Sequence, residues 1–377
     1  MLLAAIVAYV LVQIGIGWWA ARKTRTETDY FVAGRSLGLI AVSMSLFATW
    51  FGSETVMGAS AAIAEGGLAE ARAEPFGYAL ALLLMAFLVA GKMRRGGYVT
   101  LGDFFRQRFG PQSETWCVIA NVMVSITWAA AQMAGLAAIV AALTDLPPQT
   151  TLTFAAGAVV LYSALGGLRS DVVTDMLQGV ILLAGLGLLG WVMIDRAGGP
   201  VEALALIDPA KLTLVAEGES WVDRVDAWAI PVLGSLVAVE AVARFLGAKT
   251  ERVARRGALI AAGLYVFAGL IPLMFGLIGP GLGLSLESGD LFLPSLAQQL
   301  LPPVLLVVLV GALLSAILST VDSNILSASS LLTHNGFDRL RPDASERTKL
   351  IVARSTTVAA GLLAYAIASS GESIYQL

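Results

Sequence analysis

Ten apolar segments, each close to the thickness of a bilayer or longer, follow one another along this chain. They fall at about 2–21, 37–64, 75–92, 115–144, 150–167, 171–195, 226–246, 257–279, 291–333 and 350–370. A hydrocarbon core offers no water to backbone N–H and C=O groups, and a run of roughly 20 residues satisfies them internally as a helix. With 57% hydrophobic and 14% charged residues, the chain is too apolar for a soluble domain. The expected fold class is therefore an all-α polytopic membrane protein. Two segments break the simple pattern. Residues 291–333 read as a short pre-helix, then Pro302-Pro303, then a long helix, and 37–64 is interrupted by Gly52, Ser53 and Gly58. The amphipathic stretch 98–110 is expected to lie along the cytoplasmic surface.

Basic residues orient the spans. If alternate loops face the cytoplasm, beginning with the one after the first span, 20 of the 24 Lys and Arg lie on that side. Only Arg72, Arg196, Lys211 and Arg224 lie opposite. This bias places the N-terminus outside, in a cell inner (plasma) membrane. Residues 1–20 run into Ala21-Arg22-Lys23 without a convincing cleavage site, so no cleavable signal peptide is expected. Trp221 and Trp228 beside the external 196–226 segment read as interfacial anchors. One cysteine (Cys117) and one histidine (His334) leave no Cys/His cluster, and no HExxH or nucleophile–base pair appears. Gly-rich 276–283 lacks the Lys-Ser/Thr of a phosphate cradle. Neither an enzyme, nor a cofactor, nor a nucleic-acid partner is expected.

Polarity enters the apolar segments at few places: Glu54, Asp175, Glu240 and Asp322, with Arg244 near a cytoplasmic end. Each costs about 2.5–3.5 kcal/mol near the bilayer centre and needs a partner, a cation or water. Asp175 is close enough to a loop to be helix-terminal, Asp322 could meet a buried hydroxyl, Glu54 could satisfy backbone N–H groups, and Glu240 could pair with Arg244 at i, i+4. In 310–330 a stripe of Ser315, Ser319, Ser323, Ser327 and Ser330 shares one helix face, with Thr320 and Asp322 beside it. Such a stripe packs helices or gives oxygen ligands to a hard cation such as Na+. Gly52-Ser53, after Ala48 and Thr49, either allows close packing or marks a discontinuous helix whose freed carbonyls bind an ion.

These motifs resemble the sodium:solute symporters, which have a LeuT-like inverted-repeat fold. The resemblance is carried by FVAGRSLG (31–38), SLFATWFGSETVMG (45–58), RRGGYVTLGDFFRQRFG (94–110), LYSALGGLRSDVVTDMLQG (161–179) and ALLSAILSTVDSNILSASS (312–330). Within the family it is nearest the branch that includes high-affinity choline transporters, through EPFGYAL (74–80), TWAAAQ (127–132) and STVDSNILSASS (319–330). The resemblance implies a sodium site from the backbones of Ala48, Phe51 and Ala316 with the hydroxyls of Ser319 and Thr320. It also implies a second cation site at Asp175, with Ser315. An aromatic box for a cationic group falls on Trp50, Tyr78 and Trp128, each ring contributing about 0.5–2 kcal/mol. The fourth box position falls on Ala238, and nearby Glu240 has no counterpart in that branch. An aromatic pocket with one carboxylate would suit a cationic or zwitterionic amine.

The same resemblance divides the chain into an extra N-terminal helix and cytoplasmic loop (1–35), a first repeat of five spans (36–196), an external loop (197–225) and a second repeat (226–377). The second repeat counts four of its five spans, so the last core helix is expected to be missing. Residues Ser370–Leu377 are then expected at the external boundary beside an open groove of small-residue helix faces. The 377-residue chain alone is then expected to be destabilised or inactive in sodium-driven uptake, and the next downstream segment to restore it. The implied function is a sodium-coupled symporter that imports a small organic solute across the lipid bilayer by alternating access. The alternatives are a symporter-like sensor module or an inactive truncated transporter.

Overall fold

The computed structural model describes residues 2–143, 146–216 and 218–370, and within them it is built of helices with no extended strand. An extra helix, α1 (Leu2–Ala21), comes first. The short α2 (Glu27–Val32) starts where Thr26 and Asp29 cap each other's backbone N–H. Segment 37–64 forms α3 (Leu39–Trp50) and α4 (Ala59–Gly66), joined through a wide turn at Glu54–Gly58 and bent by 61°. The break has a local cause. Phe51 leaves helical geometry at φ −87°, ψ 68°, and a Cβ on Gly52 would sit 3.1 Å from Thr320 Oγ1 and 3.2 Å from Gln132 Oε1. Helices α5 (Tyr78–Leu88) and α6 (Ala90–Gly96) form a second bent pair, at 44°.

The amphipathic stretch folds as α7 (Leu101–Phe109), separate from α8 (Pro111–Leu143). Its Asp103 meets His334 Nε2 at 3.1 Å and Arg339 at 2.8 Å, while Glu114 at the start of α8 takes Arg106 at 2.6 Å and Asn335 at 2.7 Å. These contacts fasten α7 to the polar end of the long helix that carries the Ser stripe. The two segments expected at 150–167 and 171–195 are joined without a loop in α9 (Pro148–Arg196). Only Gly167 leaves the helix, at φ 60°, and a Cβ there would lie 2.4 Å from the Tyr30 carbonyl. Gly167→Ala is therefore expected to lower stability by about 1–3 kcal/mol, read as a fall in the thermal midpoint. An unchanged midpoint would show that this kink is not a constraint.

After α10 (Pro200–Ala205), the segment expected as one span at 226–246 is two helices, α11 (Trp221–Leu233) and α12 (Val239–Gly247), with 234–238 unwound between them. Then come α13 (Glu251–Ile278), α14 (Phe292–Leu300), α15 (Pro303–Ser330), α16 (Asp338–Leu340) and α17 (Glu346–Ser370). The pre-helix, Pro302-Pro303 and long helix appear as expected. Six helices are each long and apolar enough to cross a membrane, eight if the two bent pairs are each one span. The count of ten differs because α9 holds two of the expected segments and α11 with α12 forms another. From Leu309 to Ser329 every residue of α15 except Gly311 is buried. It is the axis of the bundle, packed on α9 and α8, while α13 packs on α3, α4 and α5. Of the stretch Ser370–Leu377 expected at the external boundary, Ser370 ends α17 and residues 371–377 lie outside the described residues.

Candidate functional site

The two breaks, one between α3 and α4 and one between α11 and α12, face a common cavity of about 260 Å³. The start of α5, the middle of α8 and the hydroxyl-bearing part of α15 complete its wall. Trp50, Tyr78, Trp128 and Glu240, the four expected substrate residues, all line it. The Trp50 and Tyr78 rings meet edge to face at 5.9 Å, and Trp50 Nε1 donates to Glu240 Oε1 at 2.9 Å. Glu240 does not pair with Arg244 through its carboxylate. Arg244 Nη1 instead donates to the Glu240 backbone carbonyl at 3.0 Å, which leaves the carboxylate turned to the cavity.

Two further carboxylates that the sequence reading did not place in the pocket line the same cavity, Glu54 and Glu74. Glu74 is buried and accepts from Thr55 at 2.9 Å and Tyr265 at 2.7 Å. Tyr265 also approaches the Trp50 carbonyl at 3.2 Å, so Glu74 and the α3 break share one hydroxyl scaffold. Among the described residues no Lys or Arg lines the cavity. The EPFGYAL motif contained the signal for Glu74, but with the apolar run taken to start at residue 75, the acid read as a loop residue.

The expected sodium residues gather behind this cavity. Thr320 Oγ1 shares its one proton between the Thr49 carbonyl at 2.8 Å and Ala316 O at 3.1 Å, which ties α15 to the last turn of α3. Ala48, Phe51, Ala316, Ser319 and Thr320 are all buried at this junction, with Phe51 at the break itself. The Ser319 hydroxyl donates to Asp175 Oδ1, and Asp175 Oδ2 takes Ser45, Thr49 at 3.3 Å and Arg244 at 3.1 Å. Asp175 is wholly buried rather than helix-terminal. Ser315 is not among its partners and pairs with Tyr9 at 2.6 Å.

Arg244 belongs to the interior, not to the cytoplasmic loop where its charge was counted. It is wholly buried, 2.7 Å from Asp171 and 3.1 Å from Asp175. The Asp171, Asp175 and Asp322 carboxylates lie within 4.8 Å of one another, and neither Asp322 oxygen has a hydrogen-bond partner among the described residues. Three acids face one guanidinium here. Hydroxyls, freed carbonyls and a carboxylate are the donors a hard monovalent cation takes, so the residue types at the α3–α15 junction fit Na+.

The sodium:solute symporter family model matches residues 30–375. The high-affinity choline transporter 1 of Drosophila melanogaster is 29% identical over 99% of this chain, and the human protein of that name 28% over all of it. The sodium/pantothenate symporter of Escherichia coli is 28% identical over 95% of this chain and 77% of its own length. The chain spans 63% of the length of the Drosophila transporter and 69% of the human one. Among solved structures, a substrate-bound, outward-open Na+-coupled sialic acid symporter superposes with a TM-score of 0.88 at 18% identity. That match covers 98% of this chain and 81% of the other. The fold is thus the LeuT-type bundle, with α1 as its extra N-terminal helix.

Proposed function

The chain belongs to the sodium:solute symporter family, and from that premise we propose that it couples inward Na+ movement to import of a small organic cation. The observation that carries this reading is the convergence of Trp50, Tyr78 and Trp128 with Glu54, Glu74 and Glu240 on one cavity that no Lys or Arg lines among the described residues. Aromatic faces and carboxylates attract a cation. A zwitterion would bring a carboxylate that no Lys or Arg there could meet.

In this reading Na+ is held by the backbones of Ala48, Phe51 and Ala316 and by the Ser319 and Thr320 hydroxyls, and the Asp175 carboxylate accepts from Ser319. Coupling follows from shared parts. Thr49, Trp50 and Thr320 line the cavity, and Thr320 also holds the Thr49 carbonyl. An ion that orders the α3 break sets Trp50, and through it Glu240, in place for the solute. Each ligand then raises the other's affinity by the same factor. The membrane potential contributes about 2.3 kcal/mol per charge per 100 mV. In this reading the α3–α4 and α11–α12 breaks are counterparts in two repeats, at 36–196 and 226–377, of a plasma-membrane protein, and the basic-residue bias supports an N-terminus outside.

A thermal-shift screen of amines, carboxylates and sugars, run in Na+ and in K+ at equal ionic strength, tests this. Amines are expected to stabilise the protein in Na+ and the other classes not, since a ligand selective for the folded state raises apparent stability. Trp128→Ala is expected to weaken amine binding by about 2–30-fold while the Na+ shift persists. Stabilisation by carboxylates or sugars alone would contradict the reading.

A further inference from the structure

The cavity's acceptors are not equally engaged. Glu74 is already satisfied at both oxygens by Tyr265 and Thr55. Glu240 takes Trp50 Nε1 on one oxygen and its own backbone N–H besides, and no other side-chain donor to its carboxylate is found among the described residues. For the Glu54 carboxylate none is found either, and it stands on the wide turn that breaks the helix. A fourth acceptor is the Ser125 hydroxyl. It is 1% exposed, lines the cavity one turn before Trp128, and has no hydrogen-bond partner among the described residues.

A quaternary ammonium presents methyl groups and can satisfy none of these acceptors by hydrogen bonding. It needs ring faces alone, and Ala238 stands where the resemblance would put a further ring. A single protonated amine can reach one carboxylate and leaves the other without a partner in a low-dielectric site, which is costly. Two carboxylates with free acceptor capacity on different elements, Glu240 on α12 and Glu54 between α3 and α4, match a molecule with two cationic ends. An apolar linker between them would lie against Trp50, Tyr78 and Trp128.

We propose that the cavity takes a small dication with N–H donors at both ends, an α,ω-diamine, with one ammonium group at Glu240 and the other at Glu54, and the Ser125 hydroxyl as an added acceptor. This rests on the cation-import reading above and narrows it. A cavity of about 260 Å³ suits a short chain.

The test measures dissociation constants in Na+ for α,ω-diamines of three to six carbons, the monoamines of matching length, and choline. The best diamine is expected to bind at least about ten-fold tighter than its monoamine or choline, the range of a charge-assisted hydrogen bond. Glu54→Gln is expected to weaken the diamine more than the monoamine and so shrink the diamine's advantage to under about three-fold, with the Na+-dependent thermal shift read alongside as the check that the variant is folded. Glu54→Asp, which keeps the charge, is expected to retain the preference and serves if the Gln variant does not fold. Choline or a monoamine binding as tightly as every diamine, or a preference that survives Glu54→Gln, overturns the dication and leaves the cation reading standing. Absence of Na+-dependent binding by any amine in the panel overturns both.

Discussion

Replacing Arg244 by methionine is expected to cost about 3–5 kcal/mol of stability, a large share of the 5–15 kcal/mol that holds a domain folded. The side chain is wholly buried and donates to Asp171, Asp175, Ser45, Ser323 and the Glu240 carbonyl. Without it, three carboxylates within 4.8 Å face one another with no base opposite. The readout is the thermal midpoint of the purified protein. Asp171→Asn added to Arg244→Met removes one of the orphaned charges and is expected to recover part of the loss. A midpoint unmoved by Arg244→Met would mean that the acids do not depend on this guanidinium.

The second large effect is on sodium. In Ser319→Ala/Thr320→Ala two hydroxyl oxygens leave the α3–α15 junction, and the Na+ concentration for half-maximal stabilisation is expected to rise at least about ten-fold. Each lost hydrogen bond also costs about 1 kcal/mol of baseline stability. The shift in Na+ concentration, not the baseline, is therefore the informative number. An unchanged Na+ dependence would remove Ser319 and Thr320 from the ion's coordination.

Which parts were legible in the chain follows from how local their signals are. The spans, the Pro302-Pro303 turn and the break at Gly52 announce themselves through apolar length, a helix stop and small residues within a few positions. Trp50, Tyr78, Trp128 and Glu240 could be grouped because each lies in or beside a motif that the resemblance aligns. The break between α11 and α12 was hidden, since residues 234–238 (GSLVA) are nearly as apolar as the helices beside them. Glu74 was hidden for another reason. Its inward turn is stabilised by Thr55 and by Tyr265, which lies 191 residues away. Arg244 looked like one more cytoplasmic positive charge. Its burial is set by Asp171 on α9, and nothing within its own helix predicts that contact. The Ser stripe on α15 was visible, but its division of labour was not. Ser315 goes to Tyr9, Ser319 to Asp175, and Ser323 to Asp171 and Arg244, and these choices depend on which helix lies opposite each turn.

Sodium and amine binding are expected to be linked because both act on the turn of α3 that carries Thr49 and Trp50. The most direct measurement is the dissociation constant of the best-binding amine in Na+ and in K+ at equal ionic strength, together with the Na+ affinity with and without that amine. The account predicts amine binding about ten-fold tighter in Na+, and a Na+ affinity that rises by the same factor when the amine is present. Equal amine affinity in the two salts, with Na+ binding indifferent to the amine, would contradict sodium coupling through this site.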